Sequence, residues 1–491
     1  MEIGISINNQ FFKTILLLLF LSVFMGSGYA QQSDKAPITV HAVTDLSHEF
    51  SFYGDHRFHT QYLKNEKGVT NWCSLFNFDF SNANLLILLG CANEINYLPK
   101  DITTINDFLK AGGAVLIMGT HTTVSQNKLI KTFGAEFKDV GKLPLIPCSG
   151  LPVKEVQGDP GSILVLDQPN AWEVLVKDAR NKPEMVRRKV GQGTLIVASR
   201  SLAGSHPDAS DPINASFWIP LLKKAAEGKK IDSAKPFADK GIKFLEYVEK
   251  LNDVSLRYND YLKPYAKPMF NISDRCTPFI EKRMGVPKSK GMASTIALLA
   301  TGDGGFSSGE TIALGVWWGG FPKKEDSMIE FITHENTHSW VLPFPEVWNE
   351  PIATYVGDLV MMDMGYPEEG KKRIKIRIDR ARKYDPEMKL YDLDGKSLTG
   401  APDLTGGAQN DVHWGKTFWI LEDMRKQDPD FVAKYFQAKR KYALQGKVTK
   451  YDMNNTVAVM SIASGRDLFN WFREHGFNVD RDKAEIKFVL N

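Results

Sequence analysis

The chain has 491 residues, 43% of them hydrophobic and 24% charged, which excludes a wholly disordered chain, a collagen-like fibre and a polytopic membrane protein. Its 61 Lys and Arg against 58 Asp and Glu leave a net charge of +3, too little for a phosphate-tracking surface, so no nucleic-acid partner is expected. Four cysteines in this length do not make a disulfide scaffold.

Residues Thr14 to Met25 form a twelve-residue apolar run behind Lys13, ending near Gly28-Tyr29-Ala30. A membrane-spanning helix needs about 20 apolar residues. The run instead has the length of a signal-peptide core, which predicts residues 1–30 as a signal peptide. The mature chain is then expected without a transmembrane segment, in the periplasm or outside the cell. There Cys73, Cys91, Cys148 and Cys276 permit three complete disulfide pairings.

From residue 38 to 230, short apolar runs at Ile38–Val43, Leu85–Leu89, Ala114–Met118 and Thr194–Ala198 predict buried parallel strands. Ile102–Lys110 has helical spacing and stops at Gly112-Gly113. This strand–helix rhythm predicts a doubly wound α/β domain. Cys91 follows a strand, yet Leu89 and Asn93 stand where a nucleophile elbow needs glycine, so a buried or bridged cysteine is the simpler reading. His48, Glu49, His56 and His59 cluster in one segment, with a spacing that matches no derivable metal site. The progression LLILLG, FLKAGGAVLIMG, GQGTLIVAS resembles glutamine-amidotransferase-like (flavodoxin-like) domains. Gly119-Thr120-His121 carries no cysteine nucleophile, so a non-catalytic module is expected.

Charged residues around Pro236 predict a linker, and a second domain is expected over 240–491. Ile242–Leu262 has helical spacing. Thr295–Ala300 and Thr311–Trp318 read as strands around the glycine-rich segment Gly304–Gly309, read as a mobile loop or a plain hairpin turn. The chain beyond 325 reads as mostly helical.

Phe331 to Trp340 reads FITHENTHSW, an H-E-x-x-H pattern formed by His334, Glu335 and His338. On a helix, residues four apart share a face, so both imidazoles can bind one zinc ion, and Glu335 can reach a water on it. Asp326 or Ser327 can cap this helix, and Ser327 with Glu330 forms a capping-box pattern. A catalytic zinc site needs a third protein ligand. Glu350, twelve residues after His338, and Glu346 are carboxylates that could fill that place.

The segment Trp348 to Tyr355, WNEPIATY, together with H-E-x-x-H, resembles the gluzincin metallopeptidases. The resemblance makes Glu350 the third zinc ligand, although Pro351 replaces the usual small residue and the spacer is shorter than in thermolysin. It implies an α+β metallopeptidase domain with a helical C-terminal part. Asp411 to Met424 resembles the aminopeptidase N segment whose tyrosine stabilises the tetrahedral intermediate, with His413 at the tyrosine position and Gly415-Lys416 in inverted order. Ser461–Phe477 resembles the gluzincin C-terminal helices. The whole arrangement also resembles enhancin-like, mucin-attacking metallopeptidases, though Thr337 stands where those usually have glycine.

The expectation is therefore an exported zinc peptidase acting on proteins or glycoproteins. His334, His338 and Glu350 hold Zn2+, Glu335 is the general base, and His413 (or Tyr355) is the oxyanion donor. The strand Thr311–Trp318 is expected at the sheet edge, where a peptide can add. Two histidines and a carboxylate also suit iron in an oxygenase. The alternative of another class is a non-catalytic glycan- or peptide-binding protein using Trp317, Trp318, Trp340 and Trp348. Oligomeric state and cleavage specificity stay open at this level.

Overall fold

The structure is a computed structural model that describes residues 40–49, 70–73, 80–92, 94–119, 124–139, 145–147, 162–199, 212–232, 245, 247–286, 293–308, 310–340, 348–444, 448 and 451–489. The signal-peptide segment, His56, His59, Cys148 and Glu346 lie outside these residues, as do the side chains of Cys73 and Trp340. The fold is mixed α/β. It separates into two compact units, one of Met1–Val248, Arg257–Lys263 and Leu298–Asp303, the other of Glu249–Leu256, Pro264–Ala297 and Gly304–Asn491.

The first unit is built on an eight-stranded sheet of order β2-β1-β3-β4-β10-β9-β8-β6. Its parallel part comprises β1 (Ala42–Asp45), β2 (Thr70–Cys73), β3 (Leu85–Leu88), β4 (Ala114–Gly119) and β10 (Gly193–Ser199). In β3 and β4 every residue is buried, which is why they read as unbroken apolar runs, whereas β1, expected over Ile38–Val43, runs over Ala42–Asp45 and buries Thr44 and Asp45 as well. Helix α1 (Pro99–Lys110) starts with proline at its first position and packs Ile105, Phe108 and Leu109 inward. The core continues through α3 (Pro212–Ala226), whose Phe217, Trp218, Leu221 and Leu222 join the strand residues, while α2 (Val124–Lys131) lies between β4 and the β5–β7 ribbon in sequence.

The sheet is not parallel throughout. Strands β6 (Leu145–Pro147), β8 (Glu173–Asp178) and β9 (Pro183–Val190) extend it antiparallel beyond β10, and β5 (Ala135–Asp139) pairs with β7 (Ser162–Leu166) in a separate ribbon. Their half-exposed, charge-bearing sequences, such as EVLVKD and PEMVRRKV, lack the continuous apolar signal of a strand covered on both faces.

The second sheet has the order β11-β12-β13-β15-β14. Here the helix expected over 242–262 is replaced by β11 (Tyr247–Leu251) and β12 (Val254–Tyr258), joined by two residues, with Asn252 at φ 55°. Asparagine tolerates that left-handed conformation, and a two-residue turn is the usual hairpin connection. The burial of β12 alternates residue by residue, a period of two that also satisfies a short helical template. After α4 (Lys263–Met284) come β13 (Thr295–Leu299), β14 (Gly305–Ser308) and β15 (Thr311–Gly315). The glycine-rich segment is thus largely a strand. It is β14 that forms the edge, whereas β15, expected there, is paired on both sides. A Cβ on Gly305 would lie 2.2 Å from the Ala313 carbonyl and 2.6 Å from the Phe331 ring, so only glycine fits there.

The remainder is helical: α5 (Glu325–Trp340), α6 (Asn349–Asp363), α7 (Pro367–Arg382), α8 (Gly406–Gln427), α9 (Phe431–Leu444), α10 (Met453–Ser464) and α11 (Phe469–Glu474). No helix among the described residues is long and apolar enough to cross a membrane.

Candidate metal centre

Helix α5 begins at Glu325, so Asp326 and Ser327 lie in its first turn rather than capping it. Ser327 Oγ instead accepts a hydrogen bond from Arg373 at 3.0 Å. Met328, Ile329, Phe331 and Ile332 are buried, and Thr333, Glu335, Asn336, Thr337 and Ser339 are buried as well. Three of these polar groups are accommodated locally, whereas Thr333 Oγ1 has no hydrogen-bond partner among the described residues. Thr337 and Asn336 donate to carbonyls four residues back, at 2.8 Å each, and Ser339 Oγ meets Ser307 Oγ of β14 at 3.0 Å.

The four-residue spacing sets His334 and His338 on one face, with their Nε2 atoms 3.0 Å apart. Glu350 reaches both from the first turn of α6, its two oxygens 3.5 Å from His334 Nε2 and from His338 Nε2. A carboxylate at that helix end faces the positive end of the macrodipole. Zinc bonds of about 2.0–2.1 Å in a tetrahedron place neighbouring donors about 3.3 Å apart, and the spacings here bracket that value. Two imidazoles and a carboxylate are also the donor chemistry zinc accepts, so these residues fit the ion.

Thr354, one turn along α6 from Glu350, meets His334 Nδ1 at 2.9 Å. With the hydroxyl accepting, Nδ1 keeps its proton and the Nε2 lone pair is left for a metal. Glu335 is 4% exposed, and one donor atom each of His334, Glu335 and His338 lies within 4.8 Å of the others.

The electrostatics follow from burial and proximity. Burial and the neighbouring His338 lower the His334 pKa, against the pull of Glu350. For His338, burial also lowers it, but Glu350, Glu335 and Asn349 together win and raise it. Partial desolvation works against an ionised Glu350, whose side chain stays half exposed, yet hydrogen bonds and attraction from both histidines hold it well below the usual carboxylate range. Burial, helped by the repulsion of Glu350 and Glu330, outweighs the attraction of His338 and pushes Glu335 up to about 8.

The other residues singled out from the sequence have partners of their own. His413 lies on α8 with Nδ1 3.1 Å from the Leu393 carbonyl. The Tyr355 hydroxyl donates to Glu422 at 2.6 Å and accepts from Arg425 at 3.2 Å, so it is committed to α8. Trp348 is fully buried against Tyr435, Trp317 is buried against Tyr265, and Trp318 stacks on Phe331; Trp317 and Trp348 are core rather than exposed platforms. Thr354 escaped the sequence reading, although its position four residues after Glu350 was the available signal.

In the first unit, His48 is buried between Asp45, at 2.5 Å from Nδ1, and Asp101, at 3.3 Å from Nε2. Tyr97 stacks on its ring at 4.1 Å, and Tyr261 donates to Asp101 at 2.6 Å. Burial lowers the His48 pKa, but the two carboxylates outweigh it and raise it to about 9. Both ring nitrogens are engaged, so the cluster is a structural ion network. Cys91 and Cys276 are buried free thiols. Burial and nearby carboxylates, Glu49 first, push the Cys91 thiol far above its ordinary range, which leaves it unreactive.

No protein-family model matches the chain, and no curated protein is similar to it in sequence. Solved structures give distant likenesses only. The mmIFT52 N-terminal domain is 11% identical with a TM-score of 0.32, over 39% of this chain and 99% of that one. Yeast LTA4 hydrolase in complex with bestatin is 15% identical with a TM-score of 0.34, over 47% of this chain and 39% of that one. An exo-β-1,4-mannosidase from an Opitutaceae bacterium is 14% identical with a TM-score of 0.26, over 40% and 35%. At these scores none of them assigns an activity.

Proposed function

We propose that the protein is an exported zinc peptidase that hydrolyses peptide bonds of proteins or glycoproteins, with a flavodoxin-like first domain and a gluzincin-type second one. The observation that carries the reading is the donor set itself: two imidazole nitrogens 3.0 Å apart, a carboxylate 3.5 Å from each, and the buried Glu335 beside them. The parallel run β2-β1-β3-β4-β10 supports the first-domain assignment, being the 2-1-3-4-5 order of flavodoxin-like sheets.

His334, His338 and Glu350 would hold the ion. Zinc bound there would lower the pKa of water towards about 7 and polarise a carbonyl oxygen. Thr354 fixes the tautomer and orientation of His334. Glu335 accepts a proton from the attacking water on one carboxylate oxygen and passes it to the leaving amine nitrogen. Its burial keeps bulk water from competing for that proton. Strand β14, the sheet edge among the described residues and tied to α5 through Ser307 and Ser339, would align a peptide main chain beside the donor set. His413 is the proposed oxyanion donor. Its Nδ1 is occupied by Leu393, so Nε2 is the atom that would donate.

The test compares wild type with Glu335→Gln on casein and on an O-glycosylated mucin, with zinc content measured on both. Loss of cleavage in the variant with zinc retained is expected. Equal turnover in the two, or none in either with zinc bound, refutes the peptidase reading and leaves a binding protein. Retained stoichiometric zinc in His334→Ala refutes the ligand assignment.

A further inference from the structure

Glu330, His334 and His338 follow one another at four-residue spacing on α5, and Glu350, Thr354 and Asp358 do the same on α6. Each set occupies one helix face. The first rungs between the two helices are those of the candidate metal centre: His338 with Glu350, and His334 with Thr354 and Glu350. One turn deeper, the next members are two carboxyls, Glu330 at 7% and Asp358 at 1% exposure.

Helix α6 admits Glu330 because residue 357, beside Asp358, is glycine. A Cβ there would lie 2.8 Å from the Glu330 carbonyl and 3.3 Å from Glu330 Oε1. Glu330 therefore packs directly against α6 at Gly357. Its other oxygen, Oε2, is 3.7 Å from Arg373 of α7, which is also held by Asp326 at 3.5 Å and Glu369 at 3.4 Å. Arg377 of α7 attracts both carboxyls and lies over the Trp414 ring at 4.6 Å. Asp358 Oδ1 has no hydrogen-bond partner among the described residues. Two ionised carboxylates so placed would push α5 and α6 apart. Burial favours the neutral form of both, pushing Glu330 up to about 7 and Asp358 well above the carboxylate range.

We propose that Glu330 and Asp358 are positioning residues: a buried carboxyl pair, closed off by Arg373, that sets how closely α5 and α6 approach and so fixes the spacing of the His334, His338 and Glu350 donors. The inference rests on the zinc reading above. The donors come from two helices, and a contact that fixes interhelix distance one turn away also fixes the donor separations. Neither carboxyl meets the reacting atoms, so the effect is on the geometry and affinity of the bound ion.

The experiment measures zinc affinity by chelator competition and the visible d–d spectrum of the cobalt(II)-substituted full chain. The variants are Glu330→Ala, Asp358→Ala, Glu330→Gln, Asp358→Asn and Gly357→Ala. The two carboxyl-to-alanine variants are expected to bind zinc about tenfold or more weakly and to shift the cobalt bands, the size of effect seen when groups supporting metal ligands are removed. The Gln and Asn variants keep the shape and hydrogen-bonding capacity and are expected to retain both readouts. Gly357→Ala leaves both carboxyls present but pushes a methyl group against the Glu330 carbonyl and side chain, so it carries the alanine expectation if Glu330→Ala or Asp358→Ala does not fold. Wild-type zinc affinity and an unchanged cobalt spectrum in the alanine variants or in Gly357→Ala, whatever happens to Tm, overturn the proposal. A wild-type protein that binds no zinc overturns the zinc reading itself, a distinct result.

Discussion

Replacing Thr354 by valine keeps the side-chain shape and removes one oxygen, the one 2.9 Å from His334 Nδ1. The His334 side chain is 14% exposed, so little water can take the place of the lost hydroxyl. Stranding a buried N–H in this way costs about 1–3 kcal/mol. The penalty falls on the tautomer that leaves Nε2 free for a metal, because the alternative tautomer has no proton on Nδ1 to strand. Zinc affinity should therefore fall by roughly 5- to 150-fold, about tenfold for each 1.4 kcal/mol. Chelator competition at fixed pH measures this directly, with Thr354→Ser as the control that restores the oxygen. A valine variant whose zinc affinity equals that of wild type, while Thr354→Ser also matches, would show that the Thr354 contact does not orient His334.

Glu184 is fully buried in β9, and neither of its oxygens has a hydrogen-bond partner among the described residues. Burial, with repulsion from Asp178, pushes its pKa up to about 8 from an ordinary 4.5. Between these values the folded chain holds a proton that the unfolded chain has released, so stability falls as pH rises from about 4.5 to about 8 and then levels off. Glu184→Gln should be more stable than wild type above neutral pH and lack that component of the slope; parallel pH–urea curves for the two proteins would contradict this. Lys416 is fully buried with Asp385 at 3.0 Å, and Asp385 also accepts backbone N–H groups of Lys389, Leu390 and Tyr391. Lys416→Ala leaves that carboxylate unbalanced and should destabilise the second unit by about 3–5 kcal/mol, read from its urea transition. For the oxyanion donor, Tyr355→Phe should leave kcat unchanged, since the hydroxyl is already held by Glu422 and Arg425. His413→Ala should lower kcat by about 10²–10³ with zinc content intact, and an unchanged kcat removes His413 from the mechanism.

Much of the architecture is legible in the linear pattern where one physical signal dominates. The parallel strands Leu85–Leu88 and Ala114–Gly119, and Leu195–Ala198 within the third, read as apolar runs because burial on both faces disfavours polar residues. The antiparallel strands β8 and β9 have a solvated side and a bulged register, and their mixed composition hides them. The β11–β12 hairpin was hidden by the ambiguity between a period of two and a helical stripe over five residues, although Asn252-Asp253 carried the turn signal. At the candidate site, the shared face of His334 and His338 is legible because a four-residue spacing on a helix fixes it.

The sequence alone determined the donor types, their four-residue spacing on one helix and the mixed α/β character, since these follow from local geometry and composition. Only the tertiary structure decided what meets those donors across the helix pair. Thr354 on His334, Glu330 across Gly357, Tyr355 turned to Glu422 rather than to the site, and β14 rather than β15 at the sheet edge all depend on how separate elements pack. A helix or strand fixes which residues share a face, but the partner of that face is set by burial and charge summed over the whole fold.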